Sequence, residues 1–182
     1  MSPRLRLHIP GIRDMVYREK LLAQPKTMAY NRGLMMDAEG YDPATGCIAF
    51  PPSDWRFWRD VWLYREPDRF SAYLLDEDSG VFVGEACYYA DPETGDHAPG
   101  ILIEHCHRGR GYATEGLKLI VRRAMTQPEV ETLSILRRSD DIPALRLCRA
   151  AGFVETNASP GFSRLALTRT LWQTQEALRQ HP

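Results

Sequence analysis

The chain has 182 residues, long enough for one domain to bury a substantial core without disulfides or bound metals. Its 23 basic and 24 acidic residues leave a formal net charge of −1, and the pI is near 6.5. Because nucleic-acid-binding domains concentrate Lys and Arg on one face, this balance argues against a nucleic acid partner.

The cysteines and the apolar segments indicate the compartment. Four cysteines lie far apart with no CxxC pair, namely Cys47, Cys87, Cys106 and Cys148. This spacing favours neither a zinc site nor a disulfide framework and is typical of a reducing cytoplasm. The first ten residues lack the apolar run of a signal peptide, and no apolar stretch has transmembrane length. We therefore expect a soluble, cytoplasmic protein with no membrane partner.

The N-terminal part predicts a strand, a helix and a long loop. Apolar and polar residues alternate up to Pro10, which indicates a first strand. Asp14 is a typical cap for a helix that ends at about Leu22. Residues 25–50 are rich in Gly, Pro, Met and Asn without a clear period, so we expect a long loop there.

A second helix should begin at residues 51–53, which read Pro-Pro-Ser. Trp55, Trp58 and Trp62 follow at positions i, i+3 and i+7 and therefore share one helical face. We interpret this tryptophan face as part of the core rather than as a platform for a ligand.

The apolar period then changes to two, which indicates strands. Residues 70–76 and 81–90 alternate, with Asp-Ser-Gly at 78–80 between them, and a turn at 92–96 leads to a third strand at 101–105. Consecutive strands joined by short turns predict an antiparallel meander.

Helices and strands alternate in the C-terminal part. One apolar face predicts a helix that ends at Gln127-Pro128, and capping residues at 139–141 with Gly152 at the end predict another. Strands are expected at 132–136, 153–156 and 162–167. The last ten or so residues are polar and indicate a helix or a frayed tail.

Residues 101–116 are the most informative segment, because an apolar strand leads into a glycine-rich turn that opens a helix. Gly109 and Gly111 allow the backbone to approach a ligand. The free N–H groups at the start of the helix favour an anion, and Arg108 and Arg110 add positive charge. The junction predicts a phosphate-binding site, although a solvated glycine-rich connector would explain the same residues.

A dinucleotide-binding fingerprint is the rival interpretation, because Gly109 and Gly111 match the first half of GxGxxG. Thr114 occupies the third glycine position, and a meander precedes the turn where a dinucleotide-binding domain needs βαβ crossovers. We therefore reject this alternative.

Arg108, Gly111 and Ala113 fit the signature R/Q-x-x-G-x-G/A, and the order of elements over residues 69–168 fits the same family. The chain resembles the GNAT superfamily of acyl-CoA-dependent N-acyltransferases. The resemblance implies one α/β (α+β) domain over residues 1–182, with a mixed, mainly antiparallel sheet flanked by helices. It also implies acetyl-CoA as cosubstrate and no metal.

The resemblance further implies which residues bind the cofactor. The glycine-rich loop would bind the pyrophosphate, mainly through main-chain amides, over Arg108, Gly109, Arg110, Gly111, Tyr112, Ala113 and Thr114. The preceding strand would pair with the pantetheine arm, over Ile101, Leu102 and Ile103.

The predicted helix after residue 141 departs from the family pattern. Asp141 stands where the family has an Asn that contacts the cofactor arm, and Cys148 stands where many members have a Tyr that protonates the CoA thiolate. Cys148 lies three residues after Leu145 on the apolar face, so we interpret it as a core residue. These departures leave open a non-catalytic acyl-CoA-binding module.

An amine acceptor must lose a proton before it attacks the thioester, so the reaction needs a base. Glu104 ends the motif strand and is the first candidate. Glu85 is the rival, on a strand face that should otherwise be apolar. Either could instead be a structural carboxylate. His105 and His107 should point the same way on a strand, but no second ligand group follows them, so we expect no metal.

The acceptor side should include Tyr30, Asn31 and Arg32 from the long loop, together with the tryptophan helix. These residue types suit a polyamine, an amino acid, an antibiotic or a peptide N-terminus. The expected partner is therefore a small-molecule or peptide amine, and a homodimer is compatible with the sequence.

Overall fold

The computed structural model describes residues 4–180. Their strands form a single sheet in the order β1-β2-β3-β4-β5-β7-β6. The strands are Leu5–His8 (β1), Arg69–Asp76 (β2), Val81–Ala90 (β3), His97–Ile103 (β4), Thr132–Arg138 (β5), Val154–Ser159 (β6) and Phe162–Thr168 (β7). The helices are Met15–Leu22 (α1), Pro25–Met28 (α2), Pro52–Trp62 (α3), Tyr112–Met125 (α4), Ile142–Ala150 (α5) and Arg169–Gln180 (α6).

The sheet consists of two antiparallel halves that meet at one parallel contact. β1 to β4 form one half, and β5, β7 and β6 form the other. Between the halves, β4 and β5 are parallel and pair only at His97 and Leu133. The two strands therefore part toward their C-terminal ends, which leaves an opening in the middle of the sheet.

Two apolar cores lie on opposite faces of the sheet. The larger core joins α4 and α5 to the strands and includes Ile103, while the smaller core joins α1, α2 and α3 to the strands and includes Leu102. Neighbouring residues of β4 thus serve different cores, as the alternation of a strand requires. No helix within residues 4–180 is both long and apolar enough to cross a membrane.

Gly116 brings α4 close to the sheet. A Cβ atom at this position would lie 2.7 Å from Leu74 Cδ1 and 2.8 Å from Ile101 Cδ1, closer than side chains pack. The glycine therefore lets the first turns of α4 press against β2 and β4, which fixes the start of the helix beside the opening.

The predicted fold class, a mixed and mainly antiparallel sheet flanked by helices, is confirmed, and the predicted strands and helices are present with small shifts of their ends. The third strand was placed wrongly: it spans His97–Ile103, and residues 105–107 form a 3₁₀ turn. The expectation that His105 and His107 lie on a strand and point the same way is therefore wrong. The C-terminal segment is a helix.

The N-terminal part contains more structure than the sequence indicated. The expected loop 25–50 includes α2 and a short 3₁₀ turn at residues 29–31, and Thr27 is fully buried. The tryptophans of α3 are half-buried, and Trp55 and Trp58 pack against the edge of the smaller core. The tryptophan face thus covers a core and does not form its centre.

Candidate active site

The opening between β4 and β5 continues into a cleft of about 1010 Å³. Its walls are the end of β4, the first turn of α4, the end of β5, one side of α5 and the segment 30–34. Ile101, Leu102 and Ile103 all line it, so the predicted strand is at the cleft. In this part of the chain, the sheet, two helices and an N-terminal loop converge on one space.

The glycine-rich loop forms the end of the cleft at the N-terminus of α4. Gly109 and Gly111 have φ values of +78° and +85°, which residues other than glycine rarely adopt. Gly111 is the N-cap, so the amides of the first turn, including Ala113 and Thr114, have no partner within the helix. A smaller pocket of about 100 Å³ adjoins the loop. The loop therefore presents main-chain donors and a helix dipole to a pocket, which is the arrangement an anion needs.

The side chains of this loop mainly hold it in place. The Arg108 guanidinium donates to the carbonyl oxygens of Ile103 at 3.1 Å and Thr27 at 2.7 Å. It thus joins α2 to the end of β4 and is not a free charge at the rim. Arg110 is exposed, and its carbonyl oxygen accepts a hydrogen bond from Arg4 at 2.9 Å.

Tyr112 anchors the start of α4 to the end of β2. Its hydroxyl donates to a carboxylate oxygen of Asp76, and its ring is buried below the Arg4 guanidinium at 5.0 Å. The hydrogen bond to Asp76, with burial as a second cause, raises the pKa of Tyr112. The side chain of Tyr112 is therefore structural, and only its main-chain amide is left for the predicted binding of a phosphate.

On α5, Asp141 and Cys148 occupy very different surroundings. Asp141 lines the cleft and caps the helix, with Oδ1 accepting from the Ala144 amide at 3.1 Å. Cys148 is 2% exposed and belongs to the larger core. Burial raises the pKa of its thiol. The structure supports the interpretation of Cys148 as a core residue and does not place its thiol at the cleft.

Arg137 is a cleft residue that the sequence interpretation missed. It follows Leu133 and Ile135 on the core-facing side of β5, and it lines the cleft. Within residues 4–180 no carboxylate forms an ion pair with it, and its Nη1 donates to the Leu136 carbonyl at 2.9 Å. An arginine at a strand position that alternation assigns to the core was the available signal.

The position of Arg137 follows from the strand pairing. His97 pairs with Leu133 in the parallel contact, so Ile101 and Arg137 each lie four residues further along strands that have parted. The arginine thus faces the cleft at the level of Ile101 on β4, the strand that is predicted to bind the cofactor. A half-buried cation here can stabilise negative charge that develops in the cleft.

Glu85 lies in an ion pair on the face of the sheet that carries the smaller core. Its carboxylate contacts the Arg18 guanidinium, and both side chains are largely buried, with exposures of 15% and 16%. Arg18 in turn stacks at 4.4 Å from the Trp58 ring. The expected apolar face is wrong, because a register shift moves Val83 to the larger core and Arg18 covers Glu85.

Glu104 is held differently, by a neutral donor. It follows Ile103 immediately after β4, and its Oε1 accepts a hydrogen bond from Gln24 Nε2 at 2.7 Å. The Tyr17 hydroxyl lies 3.5 Å from Oε2. Burial, followed by the Glu104 charge, raises the pKa of Tyr17, so this hydroxyl remains a donor. Glu104 is half-buried and has no cationic partner among the described residues.

Of the residues expected on the acceptor side, only part reach the cleft. Tyr30 and Asn31 line it, joined by Leu34, which the sequence interpretation did not include. Arg32 instead contacts the Thr45 carbonyl at 3.5 Å. The tryptophans of α3 lie behind this wall; Trp58, for example, supports Arg18.

Comparisons with known proteins agree with this architecture. The sequence model of a family described as an acetyltransferase (GNAT) domain matches residues 4–154. A search of curated protein sequences finds no match.

Solved structures show the same fold. The chain is similar to a spermidine N-acetyltransferase from Vibrio cholerae in complex with CoA and spermine, with 12% identity, a TM-score of 0.70 and coverage of 94% of this chain and 99% of that one. It is similar to an aminoglycoside acetyltransferase in complex with coenzyme A and kanamycin, with 16% identity, a TM-score of 0.67 and coverage of 96% and 99%. It is also similar to a ribosomal L7/L12 alpha-N-protein acetyltransferase in complex with coenzyme A, with 12% identity, a TM-score of 0.68 and coverage of 92% of this chain and 95% of that one.

Proposed function

Because the chain belongs to the GNAT acetyltransferase family, we propose that it transfers an acetyl group from acetyl-CoA directly to a primary amine. The observation that carries this proposal is the cleft between the parted strands β4 and β5, which ends at the glycine-rich loop. Solved structures with this fold contain CoA together with spermine or kanamycin. Members of the family are acyltransferases, and the two-sided cleft has room for both a cofactor and an acceptor.

The cofactor half of the proposal rests on the main chain. Amides of the loop 109–114 would bind the pyrophosphate, and the free edge of β4 would pair with the pantetheine arm as an added strand does. Gly111 permits the turn, and a Cβ there would meet only an Arg4 nitrogen at 3.3 Å. The space in front of the loop is therefore open to a phosphate.

In the proposed reaction the amine nitrogen attacks the thioester carbon, the C–S bond breaks and CoA leaves as a thiolate. Alignment of the two substrates in one cleft supplies much of the rate. Glu104 follows the lining residue Ile103 but is not itself in the lining, so it would accept the proton of the amine nitrogen through a water molecule. Glu85 is the weaker candidate, since Arg18 already neutralises its carboxylate.

Arg137 would stabilise the departing thiolate. Cys148 is buried in the core, so no thiol or phenol of α5 reaches the cleft at the position where the family commonly has a tyrosine. The unpaired guanidinium on β5 would compensate by its charge, and the thiolate would then take its proton from solvent.

The charge of the cleft favours acceptors that carry one amine rather than several. Four arginines line it, namely Arg108, Arg137, Arg138 and Arg146, of which Arg138 pairs with Asp140; Asp141 is the lining carboxylate and caps α5. Phosphates of the cofactor would use part of this positive charge, but a polycation would still meet repulsion. Tyr30, Leu34 and Phe162 add exposed apolar surface at the rim. We therefore favour as acceptor an amino compound or a peptide N-terminus with an apolar group next to the amine, rather than a polyamine.

The test is release of free CoA thiol from acetyl-CoA in the presence of a panel of amines. The panel contains spermidine, kanamycin, amino acids with polar and apolar side chains, and short peptides with free N-termini. We expect release above the hydrolysis background with an apolar amino compound or peptide, and mass spectrometry should show acetylated product. Binding of acetyl-CoA without release for any amine would favour the non-catalytic module instead.

A further inference from the structure

Three potential metal ligands come together where β4 ends. Glu104, Cys106 and His107 each offer a ligand atom, and these atoms lie within 4.8 Å of one another. The 3₁₀ turn of residues 105–107 brings them together, because it folds the chain back immediately after the strand. Three donors at this separation can reach a single ion.

A second observation at the same place points to a missing partner. The Nδ1 atom of His107 is buried, and no described residue forms a hydrogen bond with it. A buried polar atom without a partner is costly and uncommon in folded proteins. Its ring packs edge-on against Tyr112 at 6.4 Å, so the imidazole is held in place beside the loop.

The chemistry of the donors selects the ion. A thiolate, an imidazole and a carboxylate are the ligand types of Zn²⁺, whereas Ca²⁺ and Mg²⁺ prefer oxygen atoms alone. Neighbouring groups already orient the turn: Gln24 donates to Glu104, and Thr27 Oγ1 accepts from the His105 amide at 3.0 Å. Such supporting hydrogen bonds are typical around metal ligands.

We propose that Glu104, Cys106 and His107 bind Zn²⁺, with a fourth position left for water. Cys106 is exposed, so an ion reaches it from solvent. Its thiol must lose a proton to become a ligand, and binding therefore releases that proton.

Zn²⁺ at this place would inhibit acetyl transfer. The ion would occupy the carboxylate that we propose as the base, at the junction between the cleft strand and the phosphate loop. This consequence rests on the proposed function, but the binding of the ion does not. The two can therefore be tested separately.

The binding test uses Co²⁺ as a spectroscopic substitute in the full chain, purified without affinity tags that bind metals. We expect one Co²⁺ per chain, visible bands typical of tetrahedral cobalt and a near-ultraviolet thiolate-to-cobalt band, all removed by added Zn²⁺. In Cys106→Ser the thiolate band should disappear, and in the matched control Cys47→Ser it should persist. His107→Gln should weaken Zn²⁺ binding about 100-fold or more, since loss of a supporting residue alone costs 10- to 100-fold.

A thiolate band that persists in Cys106→Ser, or its absence from the parent protein, would overturn the site. For activity, micromolar Zn²⁺ should inhibit the parent and not Cys106→Ser. The activity of this variant without metal should match the parent, because Cys106 is exposed and has no part in the proposed transfer. Inhibition that remains unchanged in Cys106→Ser would show that the ion acts elsewhere. A parent protein that shows the cobalt bands but transfers acetyl to no amine would contradict the proposed function and leave the zinc site standing.

Discussion

The two sides of the cleft are built in different ways. The proposed cofactor side consists largely of main chain from one continuous segment, in which Gly109 and Gly111 turn the chain into α4. The proposed acceptor side depends on side chains from distant segments that lie beyond the lining of the cleft: Arg18 reaches Glu85 across 67 positions, and Gln24 reaches Glu104 across 80. The first side should therefore depend on backbone conformation, and the second on particular pairs of side chains.

Gly111→Val tests the main-chain side and should have the largest effect. A β-branched residue at φ +85° is strained, and its side chain would occupy the space in front of the loop. We expect acetyl-CoA affinity to fall at least about 100-fold, or about 2.8 kcal/mol, by calorimetric titration. Gly80→Val is the matched control, because Gly80 has a similar φ of +69° in the turn between β2 and β3. Unchanged affinity in Gly111→Val would remove the phosphate-binding assignment.

Glu85→Gln tests the side-chain side through stability. Removing the carboxylate leaves the Arg18 guanidinium largely buried without its counter-charge, which typically costs about 3 kcal/mol. Urea unfolding should show this loss. Replacing both partners, as in Arg18→Met with Glu85→Leu, should recover much of it, whereas additive losses in the double variant would show that the pair does not interact.

The sequence could predict the glycine-rich turn at the start of α4, because the determinants of that turn are local. Glycines at fixed spacing between an apolar strand and an amphipathic helix predict a phosphate-binding turn from neighbouring residues alone. A helix cap at one of positions 139–141 was expected for the same reason, and Asp141 is the cap. The predicted order of strands and helices likewise depends on periodicity and turn residues, which are properties of short segments.

The second side could not be predicted, because its contacts join residues far apart in the chain. The residues next to Glu85 in the sequence do not predict its pairing with Arg18, and those next to Glu104 do not predict its hydrogen bond from Gln24. The grouping of Glu104, Cys106 and His107 was not expected, because the sequence shows no second ligand group after the histidines. The observed 3₁₀ turn at residues 105–107 brings the three side chains together, and a strand extending to His105 does not predict that turn. Arg137 did carry a local signal, a charge at a core-facing position of a strand, that was not used.

Glu104→Gln tests whether Glu104, which accepts from the neutral Gln24, is the base, and Glu85, which pairs with Arg18, is not. The amide keeps the size of the side chain and removes its basicity, so turnover should fall roughly 100-fold at neutral pH with acetyl-CoA affinity nearly unchanged. The defect should shrink as pH rises, since more of the acceptor is already the free amine. Steady-state rates over a pH series measure this. A silent Glu104→Gln alongside a strong effect of Glu85→Gln on turnover would move the base to β3.

Arg137→Gln asks whether a side chain also contributes on the cofactor side, and its effect should be smaller. Loss of the guanidinium should lower kcat about 10-fold, by less stabilisation of the departing thiolate. Arg138→Gln is the control, because Arg138 already pairs with Asp140 at 2.7 Å. A mere rise in the KM for acetyl-CoA would instead assign Arg137 to binding of the cofactor.

Thermal unfolding with cofactor fragments tests the central claim, that the main chain of the loop 108–114 binds the pyrophosphate of acetyl-CoA. A ligand that binds the folded state raises the melting temperature, and the rise grows with the logarithm of the ratio of its concentration to its dissociation constant. Acetyl-CoA and CoA should both raise it, and pantetheine, which lacks the pyrophosphate, should do so far less. A shift with NADH and none with acetyl-CoA would contradict the account.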